Sequence, residues 1–83
     1  MYYVYLLKSK RDGKLYIGFT GDLKERLKQH NDGEVFSTKG RRPLDLIYFE
    51  GYKSLKDARK RERNLKLFSR AYSALKRRLI DSL

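Results

Sequence analysis

Five side chains in this sequence have the types and spacing to work together on a phosphate ester: Tyr5, Tyr16, Arg26, His30 and Glu62. A phenol can donate, accept or position a proton. An arginine offers a planar fork to phosphate oxygens and stabilises negative charge that builds on them. His30 follows Arg26 by four positions, so the two are neighbours on a helix surface. Such a histidine can accept a proton, orient a tyrosine, or simply interact with the negative end of its own helix. Arg26 can equally be a surface arginine on a basic helix. Glu62 falls where a helical pattern asks for an apolar residue. A carboxylate there must pair with a cation or bind a metal to offset its desolvation. Both choices stay open: an ion pair with one of the many nearby Arg or Lys residues, or a ligand for one Mg2+ or Mn2+ ion. A lone carboxylate suits Mg2+, which keeps several waters and takes further oxygens from substrate phosphate.

These residues need elements to hold them. Tyr2–Leu7 and Leu15–Phe19 are apolar, aromatic runs, and the polar stretch between them ends in Asp12-Gly13. That pattern predicts a β-hairpin. With a loop from Ser9 to Gly13, Tyr5 and Tyr16 are expected nearly opposite each other. Side-chain alternation puts Tyr3 with Tyr5, and Tyr16 with Gly18. Asp22, with Glu25 three residues on, predicts a helix start, and Asn31-Asp32-Gly33 its end. Leu23 and Leu27 mark its inner face, with His30 close to that direction and Arg26 to one side. Glu34–Arg42 is a polar loop closed by Pro43. Leu44–Glu50 predicts a third strand, with Leu44, Leu46 and Tyr48 on one face and Gly51 as its break.

Ser54 and Asp57 predict the start of a second helix, whose stripe is Leu55, Ala58, Glu62 and Leu65. A third helix is expected over Ser69–Asp81, capped by Ser69, with Tyr72, Leu75, Leu79, Ile80 and Leu83 as its stripe. The order β-β-α-β-α-α predicts an α+β fold, a three-stranded antiparallel sheet flanked by helices.

The composition narrows the function. At 83 residues the chain predicts one domain over 1–83. No cysteine and a single histidine exclude disulfides and the usual zinc clusters. No apolar run reaches the roughly 20 residues of a membrane span, and no secretory leader is expected. A cytoplasmic monomer is the expectation. Lys and Arg number 21 against 10 acids, giving a net charge of +11. Such a balance predicts a polyanionic partner bound through its phosphates. Lys39, Arg41, Arg42, Arg59, Arg63 and Lys66 are the candidate contacts, with DNA expected ahead of RNA.

Tyr3-Val4-Tyr5, followed after ten residues by Tyr16-Ile17-Gly18, resembles the paired signature of the GIY-YIG nuclease superfamily, most of all its small single-domain members. The first signature position is Tyr here instead of Gly. The resemblance implies that Tyr5 and Tyr16 are the signature tyrosines and Gly18 the signature glycine. It implies that Arg26 and His30 are the helix pair and that Glu62 is the metal-binding acid. Ser37-Thr38-Lys39, Pro43 and Tyr48-Phe49-Glu50 also resemble the small-member pattern, without an assigned role. Phe19 stands where the excision-repair branch has Lys. Ala74 stands near a position that is Asn in some members. The implied activity is metal-dependent phosphodiester hydrolysis by an endonuclease. A non-catalytic, basic nucleic-acid-binding module is the alternative, and a subunit docking an acidic protein is a third.

Overall fold

A computed structural model describes residues 1–83. The chain forms β1 (Tyr2–Ser9), β2 (Leu15–Thr20), α1 (Leu23–Asn31), a short 3-10 turn at Lys39–Arg41, β3 (Leu44–Tyr52), α2 (Leu55–Leu67) and α3 (Ser69–Arg78). The three strands make one antiparallel sheet in the order β2-β1-β3, so the expected α+β class and element order hold. The most apolar run of the sequence, β1, takes the centre and pairs on both sides.

Alternation along β1 divides the core in two. Val4 and Leu6 point to one face and pack with Ala58, Leu65 and Leu75 from α2 and α3. Tyr5 and Leu7 point to the other and pack with Leu44, Leu23 and Leu27, the last two from α1. The helix starts follow local chemistry. The Asp22 carboxylate accepts from the Glu25 N–H at 3.1 Å, and the Ser54 hydroxyl accepts from the Asp57 N–H at 3.3 Å. Past the end of α1, Gly33 has φ +79°, the left-handed turn expected there.

Several expectations are corrected. Tyr5 lies opposite Gly18, and Tyr16 lies opposite Leu7, so the two tyrosines are diagonal neighbours on one face. The cause is Ser9, which belongs to β1 and is fully buried. Its hydroxyl donates to the Arg41 carbonyl at 2.6 Å and accepts from the Arg11 and Asp12 N–H groups, so the turn starts one residue later.

The third strand continues through Gly51 to Tyr52, because Gly51 and Tyr52 still pair with Tyr3 and Tyr2. A bulge falls where Leu6 pairs with Tyr48 while Leu7 pairs with Leu46. The extra residue reverses the alternation. Leu44 and Leu46 therefore join the α1 side, while Tyr48 joins the α2 side with Ile47 and Tyr52.

The third helix is capped by Phe68 without a side-chain bond, and it ends at Arg78. Leu55 and Ile80, expected in apolar stripes, are exposed.

Gly18 is fixed by the fold rather than by its own turn. The Tyr5 ring crosses directly over it, and a Cβ there would stand 2.3 Å from Tyr5 Cζ. Gly18→Ala must displace a buried ring in the centre of the sheet. It is expected to lower stability by about 1–3 kcal/mol, read as a lower urea midpoint.

Candidate active site

Tyr5 occupies the middle of the central strand and is 1% exposed. Its hydroxyl meets His30 Nε2 at 2.8 Å. His30 is the last inward residue of α1 and is wholly buried, and its Nδ1 meets the Thr38 hydroxyl at 2.7 Å. Thr38 is also wholly buried and stands just before the 3-10 turn of the α1–β3 loop. Strand, helix and loop are thus joined by one line of buried polar groups. Tyr16 sets its ring against the same histidine, with centroids 5.1 Å apart, and lies 6.5 Å from the Tyr5 ring.

Burial pushes the Tyr5 hydroxyl up to about 12, opposed by the adjacent Arg26 guanidinium and reinforced by Tyr16 and Glu62. Burial also pulls His30 down to about 4, and the positive charge of Arg26 acts in the same direction. At neutral pH the site therefore holds a neutral phenol and a neutral imidazole beside a guanidinium.

Two proton arrangements fit the Tyr5–His30–Thr38 line. If Tyr5 donates to Nε2, then Nδ1–H donates to Thr38, and the Thr38 hydroxyl hydrogen has no acceptor in a fully buried place. If Thr38 donates to Nδ1, then Nε2–H donates to Tyr5. The hydrogen left over then belongs to Tyr5, beside Tyr16 and Arg26. Tyr5 is as buried as Thr38 and Arg26 can only donate, so each arrangement leaves one buried hydroxyl hydrogen without an acceptor and the hydrogen bonds do not choose between them. In either arrangement His30 orients Tyr5 and has no free lone pair for water.

Arg26 donates to Gln29 at 3.0 Å and forms no ion pair, which leaves its charge available to a substrate. Glu62 lies on the α2 side of the sheet and is 15% exposed. Both of its oxygens are engaged, by Arg59 at 3.3 Å and Lys66 at 3.0 Å. Arg59 also stacks over the Phe19 ring of β2 at 3.9 Å. Lys66 and Tyr16 share the wall of a depression of about 310 Å3 beside β2. Glu62 and Tyr16 thus flank the same edge strand, one from each layer. No set of three His, Cys, Asp or Glu side chains converges anywhere in the chain. A metal here would rest on Glu62 alone, a donor that fits a hard cation retaining its waters.

Among the other candidate contacts, Lys39, Arg42 and Arg63 are exposed and unpaired, while Arg41 is engaged with Asp12 at 3.5 Å. Sequence reasoning gave no role to Thr38 or Glu50. Glu50 accepts from Tyr48, from Tyr52 at 2.5 Å and from Arg61 at 2.6 Å. Burial alone would raise its carboxyl, but these hydrogen bonds outweigh it and hold the group below the usual range. This network ties β3 to α2. Its trace in the sequence is the i, i+2, i+4 spacing of Tyr48, Glu50 and Tyr52 on one strand face. Thr38 left no comparable trace.

The fold and this set of residues define the GIY-YIG class. The family model described as the GIY-YIG catalytic domain matches residues 1–77, and the chain belongs to that family. Within it, the chain is similar to a UPF0213 protein of Staphylococcus saprophyticus, 43% identical over 70 residues covering 83% of this chain and 84% of that one. It is also similar to a UPF0213 protein of Clostridium perfringens, 44% identical over 71 residues covering 84% and 75%. The solution NMR structure of a UPF0213 protein from Bacillus halodurans superimposes with a TM-score of 0.56 at 35% identity, covering 90% of this chain and 81% of that one. GIY-YIG is a nuclease superfamily whose members generally use divalent metal ions, and a nuclease domain implies a nucleic-acid substrate. No helix is long and apolar enough to cross a membrane.

The depressed His30 makes a pH prediction. Its folded value of about 4 lies below the 6.5 of an unfolded histidine, so the unfolded chain binds the extra proton first. The resulting stabilisation is complete above pH 6.5 and is lost as pH falls through about 4. Relative to His30→Gln, the wild type should lose up to ~3 kcal/mol across that window. Paired denaturation curves at several pH values check this. Imidazole 15N shifts at pH 7 should show a neutral ring with both nitrogens hydrogen-bonded, and Thr38→Val should move the Nδ1 shift most.

Proposed function

We propose that this chain is a divalent-metal-dependent endonuclease hydrolysing phosphodiester bonds in nucleic acid, with DNA ahead of RNA. The observation that carries this reading is the convergence of Tyr5, Tyr16 and His30 within one ring-contact cluster beside Arg26.

Division of labour follows from burial. Tyr5 is held neutral, is 1% exposed and has its hydroxyl bonded to His30, so it suits positioning the groups around it. Tyr16 is partly exposed on the edge strand, with its ring against His30, so it suits taking the proton from water. Arg26 stabilises the charge of the phosphorane-like transition state. Glu62 would hold the Mg2+ or Mn2+ ion, whose chemistry when bound is Lewis-acid stabilisation of the leaving 3′ oxygen. For that, Arg59 and Lys66 must release the carboxylate. Both are long, partly exposed side chains, so the cost of release is that of two surface ion pairs plus the stacking of Arg59 on Phe19.

One observation favours the binding-module alternative: both oxygens of Glu62 are already paired. Labelled branched, nicked and single-stranded DNA, incubated with Mg2+ or Mn2+, separates the two readings. Cleavage by the wild type is expected, with turnover abolished in Glu62→Gln and DNA binding kept. Tyr16→Phe should lower the rate by roughly 10²–10⁴-fold if its hydroxyl carries the proton. Glu62→Gln should change stability by less than about 1 kcal/mol, because neither ion-pair partner is stranded in the interior. Unaltered cleavage by purified Glu62→Gln would overturn the metal-site assignment. Tight binding without cleavage of any substrate would leave the binding module.

A further inference from the structure

A cavity of about 390 Å3 lies beside the end of α1, lined by Arg11, Asn31, Lys39, Arg42 and Pro43. Three of these five residues are cations, and no acid or apolar side chain except Pro43 borders it. Ion pairing around it is selective. Lys28 is neutralised by Asp32, and Arg41 by Asp12. Arg11, Lys39 and Arg42 have no acidic partner within ion-pair distance.

The walls are built rather than loose. The Asn31 side chain clamps the first residue of β3, donating to the Leu44 carbonyl at 3.0 Å and accepting from the Leu44 N–H at 2.8 Å. Arg42 Nε donates to the Lys39 carbonyl at 2.9 Å, which leaves its two terminal nitrogens for another partner. The same guanidinium lies over Gly33, 2.7 Å from where a Cβ would stand. Lys10 N–H donates to the Pro43 carbonyl at 2.9 Å and ties the hairpin loop to the opposite wall. The pocket also has a fixed relation to the active-site line. Asn31 follows His30 in sequence, Lys39 follows Thr38, and His30 and Thr38 are hydrogen-bonded to each other.

Uncompensated cations converging on a concave, pre-shaped surface raise the local anion concentration, and guanidinium forks match phosphate oxygens bidentately. We propose that this pocket is a second phosphate site, taking a phosphate group of the nucleic-acid strand beside the scissile one. The ligand is a phosphate mono- or diester, supplied either by the backbone or by a strand terminus. The assignment rests on the nucleic-acid reading above, but it does not require that the bound strand be cut. It adds Arg11, on the hairpin loop, to the binding surface. It leaves out Arg41, whose Nε lies 3.5 Å from Asp12 and whose Nη2 donates to the Leu15 carbonyl.

The test is binding in EDTA, so that it is independent of cleavage. Fluorescence anisotropy with a single-stranded oligonucleotide is read across a salt series for wild type, Arg11→Gln, Lys39→Gln, the double variant and Lys53→Gln. Lys53 is an exposed cation after β3 and serves as the control. Each pocket variant should weaken binding by roughly threefold to tenfold and reduce the slope of log K against log salt by ~0.7. Inorganic phosphate should shift the amide signals of Asn31, Lys39 and Arg42 saturably. Preference for a 5′-phosphorylated over a 5′-hydroxyl strand assigns a terminal phosphate, and equal affinity assigns a backbone phosphate. A double variant with the wild-type slope would overturn the proposal, as would phosphate shifts no larger there than at Lys53. Failure of cleavage with these binding results intact would count against the nuclease reading alone.

Discussion

The buried hydrogen-bonded line from Tyr5 through His30 to Thr38 is the constraint on which the working face depends. Only 13 of the 83 residues are buried, and Ser9, His30 and Thr38 are the polar side chains among them. In so thin a core an unsatisfied hydroxyl or imidazole would consume a large share of the stability. The line satisfies both imidazole nitrogens and joins β1, α1 and the α1–β3 loop. It also determines the protonation of the site. A histidine enclosed this way stays neutral, and its second nitrogen aligns the phenol on the central strand.

The α1–β3 loop shows the same logic at its edges. It has little apolar anchorage of its own, with Val35 buried and Phe36 almost fully exposed. Polar clamps hold it: Thr38 on His30, the Ser9 hydroxyl on the Arg41 carbonyl, and Asn31 on Leu44. Cations carried on a clamped loop keep their positions, so a charge excess becomes a shaped surface and not a diffuse cloud. Ten acids cannot neutralise 21 cations, and ion pairing decides where the surplus remains. Lys28, Arg41, Arg59, Arg61 and Lys66 have acidic partners, while Arg11, Arg26, Lys39 and Arg42 are among the cations that have none.

On the opposite layer, Glu62 and Glu50 show two fates for acids in a basic helix–sheet packing. Glu50 is locked by two phenols and Arg61, a structural joint between β3 and α2. Glu62 is held by Arg59 and Lys66, which reach it from solvent-exposed positions on its own helix. The first arrangement resists exchange because its partners are partly buried. The second is held by partners that remain largely in solvent, one of them also stacked on Phe19.

Periodicity alone was enough to place the elements. The hairpin runs, the Asp22 and Ser54 caps and the Gly33 turn are local effects, set by residues within a few positions of each other. Local pattern also brought Arg26 and His30 onto one helix face and marked Glu62 as an acid out of place. The pairing of Tyr5 with Gly18 was not legible, because a buried Ser9 bonded across the fold to Arg41 sets where the turn begins. The face taken by Tyr48 was not legible either, because a bulge opposite Leu6 and Leu7 reverses the alternation. Thr38 stood in a stretch that resembles the family pattern but had no role, and only the return of the loop onto α1 gave it His30 as a partner. The cations left unpaired were likewise decided in three dimensions. Sequence counts charges, but only the fold places Asp12 against Arg41 and leaves Arg11, Lys39 and Arg42 lining one concavity.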